Sequence, residues 1–519
     1  MSAAAHHYLL PDGAGLAAAQ ALLAGHLRLD ADPTESVSCT WYDTFDGRLH
    51  ARGLQLVAQD GRLLLLDAAG VQVAAGPPPA PGAPAPAEHL MADDLPAGRL
   101  RDAVAPLIAM RALTAIARTR SRRRALRVTD DEAKTVVRLV AEEPSVLAGG
   151  GPPRRLAGRL TVAGVRGYDR ALAAARAAIE DGAGLRAAPE SLADEAVRAG
   201  GGVPGGVSSK LRVALDPSER ADAAAVRLLA PLVTVIRLNL PGTLADVDTE
   251  FLHDLRVAVR RTRSAQRQLR HVFPAGELDA HRRAFRRLQQ VTGPSRDLDV
   301  SLLDFDHLVG GLPGSAPADI EPLRGVLADR REAERTRMVR ALRAPATAAA
   351  LDGWEALLER LVHAPEDDRR DAARPIVAVA GRRIAKVHGR MVRDGRRIDA
   401  TSPPEALHEL RKSGKELRYL LEFFASLFPP EVVKPMVRGL KDLQDTLGRH
   451  QDRDVQVAML RGLAGDVSAA PSGTAALIAM GSLIDRLAHE QVLARAEFAE
   501  RFAAFCERAP RSLVRRTFR

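Results

Sequence analysis

The residues best equipped for chemistry are cations set at helical spacing. In HDLRVAVRRTRS (253–264), His253, Arg256, Arg260 and Arg263 recur every three or four positions, and Arg267 continues the series. On a helix turning about 100° per residue these five fall within an arc of roughly 80°. Leu255, Val259, Leu269 and Phe273 lie broadly opposite. A second stretch repeats the arrangement: His408, Arg411, Lys415 and Arg418 share one face, against Leu410, Leu417, Leu421 and Phe428. Successive cations on such a face rise about 5–6 Å along the axis, which suits a row of phosphates better than one small ligand. Arginine offers a planar fork for phosphate oxygens and lysine a mobile point charge. Neutral histidine donates one hydrogen bond, and a nearby phosphate raises its pKa and favours two.

Two simpler explanations compete: a solvated amphipathic helix, or an arginine-biased composition. The bias is real, since only seven of 75 basic residues are lysine. A solvated face, however, normally mixes signs through i,i+4 pairs, and the first stripe contains no acid. Like charges at that spacing repel, so folding alone gives no reason to gather them.

The stripe is also duplicated. Residues 252–300 align with 407–455 without a gap, at an offset of 155, with 14 of 49 positions identical. His253 pairs with His408, Arg256 with Arg411, Arg260 with Lys415, Arg263 with Arg418, Arg283 with Arg438 and Arg286 with Lys441. Basic positions stay basic within one molecule, which implies two similar helical units related by a pseudo-twofold axis.

Paired Asp-x-Asp motifs, Asp297 with Asp299 and Asp452 with Asp454, occupy equivalent places. Metal ligation is poorly supported because other expected ligands are absent nearby. Helix N-capping after the Gly-containing turn and orientation of basic side chains by salt bridges are the favoured roles. No metal site and no cofactor are expected.

The chain is 519 residues long, 46% hydrophobic and 27% charged, with formal net charge +10. It is globular and too long for one core, so two or three domains are expected. Nucleic acid, an anionic membrane or an inorganic polyanion all suit that charge. Cys39 and Cys506 are far apart and suggest neither a disulfide framework nor a cysteine zinc site. The N-terminus MSAAAHHYLLPDG lacks the features of a signal peptide. No run approaches eighteen uninterrupted apolar residues, so no membrane span and a cytoplasmic location are expected.

Residues 41–75 hold short apolar runs separated by Asp-Gly and Ala-Gly, which predicts antiparallel strands and hairpins. The Pro/Ala-rich segment 76–88 reads as a loop, 100–118 as helix, RVTDDEAKTVVRLVAEEP as strand or short helix, and 170–181 as helix. After about Pro217, long stretches of 3.6-residue period predict a helical bundle. The expected fold is therefore multidomain: an α+β region with a strand meander, then an all-α region.

LHDLRVAVRRTRS, LHELRKSGKELRY, GPSRDLDV and GRHQDRDV resemble the CHAD domain, the conserved-histidine α-helical domain, over about 218–510. The resemblance implies two four-helix bundles around a basic groove or pore that binds inorganic polyphosphate without catalysis. It places His253, Arg256, Arg260, Arg263, His408, Arg411, Lys415 and Arg418 towards the ligand, with Arg267 and Lys412 beside them. Arg283, Arg286, Arg438 and Lys441 contribute from the second helix of each repeat, and Phe424 should be core. The expected CHAD region spans 218–515, with repeats at about 220–345 and 375–510.

Residues 1–215 resemble a CYTH (triphosphate tunnel) domain, an antiparallel β tunnel, through WYDTFDGRLHARGLQL, GRLLLLDAAG and SSKLR. An active tunnel enzyme is expected to begin with a Glu-x-Glu-x-Lys strand whose acids bind metal. HHYLLPDGAG has no such acids, LQLVA stands where arginines belong, and RLAGRLTVAG lacks paired acids. The region therefore reads as a degenerate, non-catalytic tunnel fold.

The leading expectation is polyphosphate binding, with association to polyphosphate granules. The alternatives are a triphosphatase or polyphosphate hydrolase, and a phosphate-backbone nucleic-acid binder suggested by RTRSRRRALR (118–127) and the tail RAPRSLVRRTFR. At 3% aromatic residues the chain is poorly equipped for base stacking.

Overall fold

The computed structural model describes residues 5–78, 87–147, 151–209, 213–310, 312, 317–399 and 401–518. The chain divides into two compact units, Met1–Ser208 and Ser209–Arg519.

Unit 1 is an antiparallel, curled β-sheet. Its strands among the described residues are β1 Ala5–Leu9, β2 Leu29–Ala31, β3 Glu35–Thr44, β4 Leu54–Gln59, β5 Arg62–Asp67, β6 Gln72–Gly76, β7 His89–Leu90, β8 Leu113–Thr129, β9 Thr135–Val146, β10 Arg154–Arg155, β11 Arg159–Gly164 and β12 Arg186–Ala187. The main path runs β12-β1-β11-β9-β8-β3-β4-β5-β6. The sheet curls far enough for the Ala5 amide to donate to the Ala69 carbonyl in the β5–β6 turn, at 3.1 Å. Helices α1 Leu16–Ala24, α2 Arg99–Ile108, α3 Asp169–Ala177 and α4 Leu192–Ala199 complete the unit.

The hairpins predicted over 41–75 are β3 to β6. The helix predicted over 100–118 is corrected: α2 stops at Ile108, Ala109 takes a left-handed φ of 52°, and β8 begins at Leu113. Alternation in β8 is satisfied by pairing with β3 on one side and β9 on the other, and that pairing outweighs local helical pattern. The basic run 118–127 lies on β8, where acids pair four of its six arginines, Arg118, Arg122, Arg123 and Arg127. Arg118 meets Glu88 at 2.6 Å, Arg122 meets Glu143 at 3.1 Å, and Arg127 meets Asp32 at 3.0 Å. The Lys210-Leu211-Arg212 part of SSKLR lies outside the described residues.

Leu126, Leu139, Val162 and Tyr8 on one face of the sheet pack with α1 and α3. Trp41, Val57 and Ala117, directly opposed in register, face the other way and pack with Ala193, Ala196 and Val197 of α4.

Unit 2 is helical. Its helices among the described residues are α5 Ala221–Ala245, α6 Thr249–Gln268, α7 Ala275–Val291, α8 Gly293–Leu303, α9 Phe305–Val309, α10 Pro317–Arg343, α11 Pro345–Arg360, α12 Ile376–Gly395, α13 Pro404–Phe423, α14 Pro430–Ala469, α15 Gly473–Ala496, α16 Phe498–Arg508 and α17 Arg511–Thr517. The first repeat packs α5, α6, α7 and α11; the second packs α12, α13, α14 and α16. Trp354 on α11 seals the first bundle against Phe273 and Phe285, with centroids at 5.4 and 5.8 Å. His388 on α12 faces Phe505 on α16 at 6.0 Å in the second. Leu298, Phe305, Leu323, Val457, Leu463 and Leu483 form a core common to both repeats, joining α8, α9 and α10 to α14 and α15.

Local chemistry explains the boundaries. Asp246 ends α5 at φ 55°, and the Asp248 carboxylate caps α6 by accepting from the amides of Glu250 and Phe251 at 2.8 and 3.1 Å. Gly242 lets α6 approach α5: a Cβ there would lie 2.3 Å from the Phe251 ring. The repeats differ at one joint. In the first, Pro294 follows Gly293, cannot donate an amide hydrogen, and the helix divides at Thr292 into α7 and α8. In the second, Gly448 is followed by Arg449, and α14 runs unbroken for 40 residues.

Helix α5 is long and apolar enough to cross a membrane, with an 18-residue window of hydropathy 1.6. A criterion of uninterrupted apolar residues passes over it because Arg227 and Arg237 interrupt the run. Half of that window is buried inside the protein, and α5 packs against α6, α11 and α12 as a core helix does. The C-terminal tail is likewise held in the bundle, with Phe518 against Phe428 at 4.7 Å.

Candidate functional site

Helices α6 and α13 cross side by side, each turning its apolar face inward. Leu255, Val259, Leu269 and Phe273 are buried, as are Leu410, Leu417, Leu421, Phe424 and Phe428. The crossing is symmetric. The Arg261 guanidinium on α6 lies over the Phe423 ring on α13 at 5.0 Å, and the Gln268 amide donates to the Glu416 carboxylate. Since 261 corresponds to 416 and 268 to 423, these two contacts are images of one another. That is the signature of a pseudo-twofold axis between the repeats.

Above the crossing lies a cavity of about 1100 Å³. Among the described residues, eleven arginines and lysines line it, with His408, against four aspartates. Arg256, Arg260, Arg263 and Arg267 come from α6, and Arg283 and Arg286 from α7. Arg411, Lys412 and Lys415 come from α13. Two further cations, Arg282 and Arg453, were not foreseen in the sequence. Arg282 adjoins Arg283 and had a legible signal; Arg453 stands where the first repeat has Leu298, so the repeat comparison hid it.

Four predicted ligand positions do not line this cavity. His253 is flanked by Arg296 and Glu250, and burial followed by Arg296 lowers its pKa. Arg418 stacks on Tyr419 at 5.6 Å and approaches Glu422 at 3.5 Å. Arg438 and Lys441 are on α14, outside the lining.

The lining is held in place by contacts within itself and with Thr292. Arg256 donates to the Gln289 carbonyl and the Thr292 hydroxyl, both at 3.1 Å, and Arg263 donates to the Gln289 side chain. Arg411 donates to Asp452 at 3.1 Å, and His408 Nδ1 meets Gln451 at 2.5 Å. The Arg260 guanidinium sits over Tyr419 at 5.9 Å. Burial pushes the Lys415 ammonium down to about 8, and the charges of Arg411 and Arg260 push the same way against Asp452. Burial also lowers Arg256 and Arg263, reinforced by neighbouring arginines. Concentrated positive charge thus disfavours itself until an anion enters.

The aspartates are corrected in one respect. Asp297 and Asp299 lie within α8, and Asp452 and Asp454 within α14, so none of the four caps a helix. Asp452 orients a stripe cation, Arg411. Asp299 instead binds Arg331 at 2.7 Å, and Asp454 accepts from Gln491 at 3.4 Å. Asp297 lies in the lining, its pKa raised by desolvation and held back by Arg256 and Arg296. Among the described residues no group of three or more His, Cys, Asp or Glu side chains is placed to hold a metal ion.

Two repeated helical bundles, with paired helices lining an arginine- and lysine-rich cavity, define a symmetric, cationic helical scaffold. Residues 227–461, within the helical unit, match the family model described as the CHAD domain, and this segment is a CHAD domain. Two solved structures are similar to it. The CHAD domain from the plant Ricinus communis is 23% identical, with TM-score 0.48, covering 57% of this chain and 95% of that one. PptA from Streptomyces chartreusis is 19% identical, with TM-score 0.41, covering 55% of this chain and 100% of that one. No curated protein matches.

Proposed function

We propose that the helical unit binds inorganic polyphosphate in the cationic cavity, without catalysis, and that the protein acts in the cytoplasm at polyphosphate granules. The observation that carries this reading is the lining: eleven arginines and lysines against four aspartates, within about 1100 Å³. A linear polyanion neutralises many cations at once, whereas a single small anion leaves most of them repelling. Nucleic acid is the weaker alternative, because acids pair four of the six arginines in the basic run on β8 and the chain is poor in aromatics for stacking.

We read unit 1 as a degenerate CYTH-like domain, with which its curled antiparallel sheet is compatible. The face that bears Trp41 is packed by α4. Unit 1 also carries two internally closed pairs, Arg123 with Glu142 at 2.9 Å and Arg159 with Glu195 at 2.6 Å. Groups satisfied by one another are poorly disposed to hold a triphosphate and its metals.

The deciding experiment is competition between long-chain polyphosphate and duplex DNA at physiological salt. Polyphosphate should win at equal phosphate, with affinity falling steeply as salt rises through counterion release. A preference for DNA would overturn the ligand. Divalent-metal-dependent phosphate release from tripolyphosphate would overturn the non-catalytic reading.

A further inference from the structure

Three buried, neutral side chains in the cavity lining have polar atoms with no hydrogen-bond partner among the described residues. Ser264 is 7% exposed, Tyr419 6% and Gln266 0%. The hydroxyls of Ser264 and Tyr419, and both amide atoms of Gln266, are shut off from solvent and make no hydrogen bond. All three line the cavity. Buried polar groups are nearly always paired, so three unpaired in one place call for a ligand.

Their position is not accidental. Ser264 corresponds to Tyr419 at the offset of 155, so the two side chains spring from one position of the repeat, twice, with the tyrosine hydroxyl reaching further out. That site lies midway between the mirrored contacts Arg261–Phe423 and Gln268–Glu416, hence at the pseudo-twofold axis. The guanidinium groups of Arg260 and Arg418 both lie over the Tyr419 ring, at 5.9 and 5.6 Å.

We infer that Ser264, Gln266 and Tyr419 form a neutral hydrogen-bonding floor beneath the cations, a subsite for the phosphoryl oxygens of an inorganic polyphosphate chain. The inference rests on the polyphosphate reading above. Each interior phosphoryl unit carries one negative charge but more than one acceptor oxygen. Arginine and lysine neutralise the charge and leave acceptors over. Neutral donors satisfy these without adding to the repulsion among Arg260, Arg411 and Lys415. Because the floor atoms are covered, the lining side chains turn as the polyanion enters, and the three groups gain their missing partners directly or through a held water.

Salt separates this floor from the cations. A lysine or arginine contact releases a counterion and steepens the fall of affinity with salt; a hydroxyl or amide contact does not. Polyphosphate affinity is measured from low to physiological salt for wild type, Tyr419→Phe, Ser264→Ala, Gln266→Leu and Lys415→Met. Thermal melting checks the fold, and Tyr419→Phe removes only an unpaired hydroxyl. The expected result is a loss of about tenfold for Tyr419→Phe at every salt concentration, with the slope unchanged. Lys415→Met should flatten the slope by about one. Wild-type affinity in all three floor variants, or a slope change like that of Lys415→Met, overturns the floor and leaves the polyphosphate reading intact. Absence of wild-type binding overturns that reading, and the floor with it.

Discussion

Gln268 and Glu416 hydrogen-bond across the crossing of α6 and α13, at positions whose counterparts in the opposite repeats, Phe423 and Arg261, also touch. The same pair of sites thus makes a hydrogen bond in one direction and a cation–π contact in the other. Symmetry of the backbone is kept while the side-chain chemistry has diverged, and the cavity above inherits that asymmetry.

Glu416 is 7% exposed and also receives Arg390 at 2.7 Å and Arg267 at 3.0 Å, tying α6, α12 and α13 together. Glu416→Ala should destabilise the helical unit by about 1–3 kcal/mol by leaving the buried Gln268 amide unpaired. Urea unfolding followed by circular dichroism measures it. Glu416→Gln keeps an acceptor and should cost less, and equal losses would show that the carboxylate charge matters more than the hydrogen bond.

Lys415 makes the site pH-sensitive. Its pKa falls from 10.5 to about 8 in the folded protein, so the unfolded chain holds the extra proton between those values. Stability of the ligand-free protein should therefore rise with pH across roughly 8 to 10.5, and Lys415→Met should remove that rise. A bound polyanion restores the charge, so polyphosphate affinity should decline as pH climbs through 8, by at most about tenfold per unit for one proton. Titration at constant ionic strength reads both effects, and Lys415→Arg, which stays charged, should flatten the binding profile.

Charge reversal should map the site. Arg260→Glu combined with Lys415→Glu, equivalent positions facing one cavity, should abolish polyphosphate binding while helical circular dichroism is kept. Arg438→Glu with Lys441→Glu, outside the lining, should reduce affinity by no more than a few-fold, through long-range charge alone. Similar losses from the two pairs would mean that general surface charge, not the cavity, binds the ligand.

Trp354 is fully buried among Phe273, His281 and Phe285. Trp354→Ala should cost about 3–5 kcal/mol in chemical denaturation by opening a cavity in the first bundle. Arg256 and Arg263 stand on α6 of that bundle, and Arg283 and Arg286 on α7, which packs against α11, so polyphosphate affinity should weaken in the same variant.

The sequence by itself determined the helical unit and its repeat. Amphipathic period is a local property, and the stripe His253, Arg256, Arg260, Arg263 needed only the helix angle to be seen. The apolar positions opposite it, Leu255, Val259, Leu410 and Leu417, are core for the same reason. Only the tertiary structure decided which cations meet. Arg438 and Lys441 match Arg283 and Arg286 in pattern, yet the cavity takes its α14 cation from Arg453. The first repeat has two short helices, divided at Thr292, where the second has one long one, and equivalent residues do not stand in equivalent surroundings. The strand β8 was hidden for a similar reason, because pairing with β3 and β9 depends on segments distant in sequence. The unpaired hydroxyls of Ser264 and Tyr419 were hidden too: partnership among buried polar groups is decided by packing, and no spacing along the chain records it.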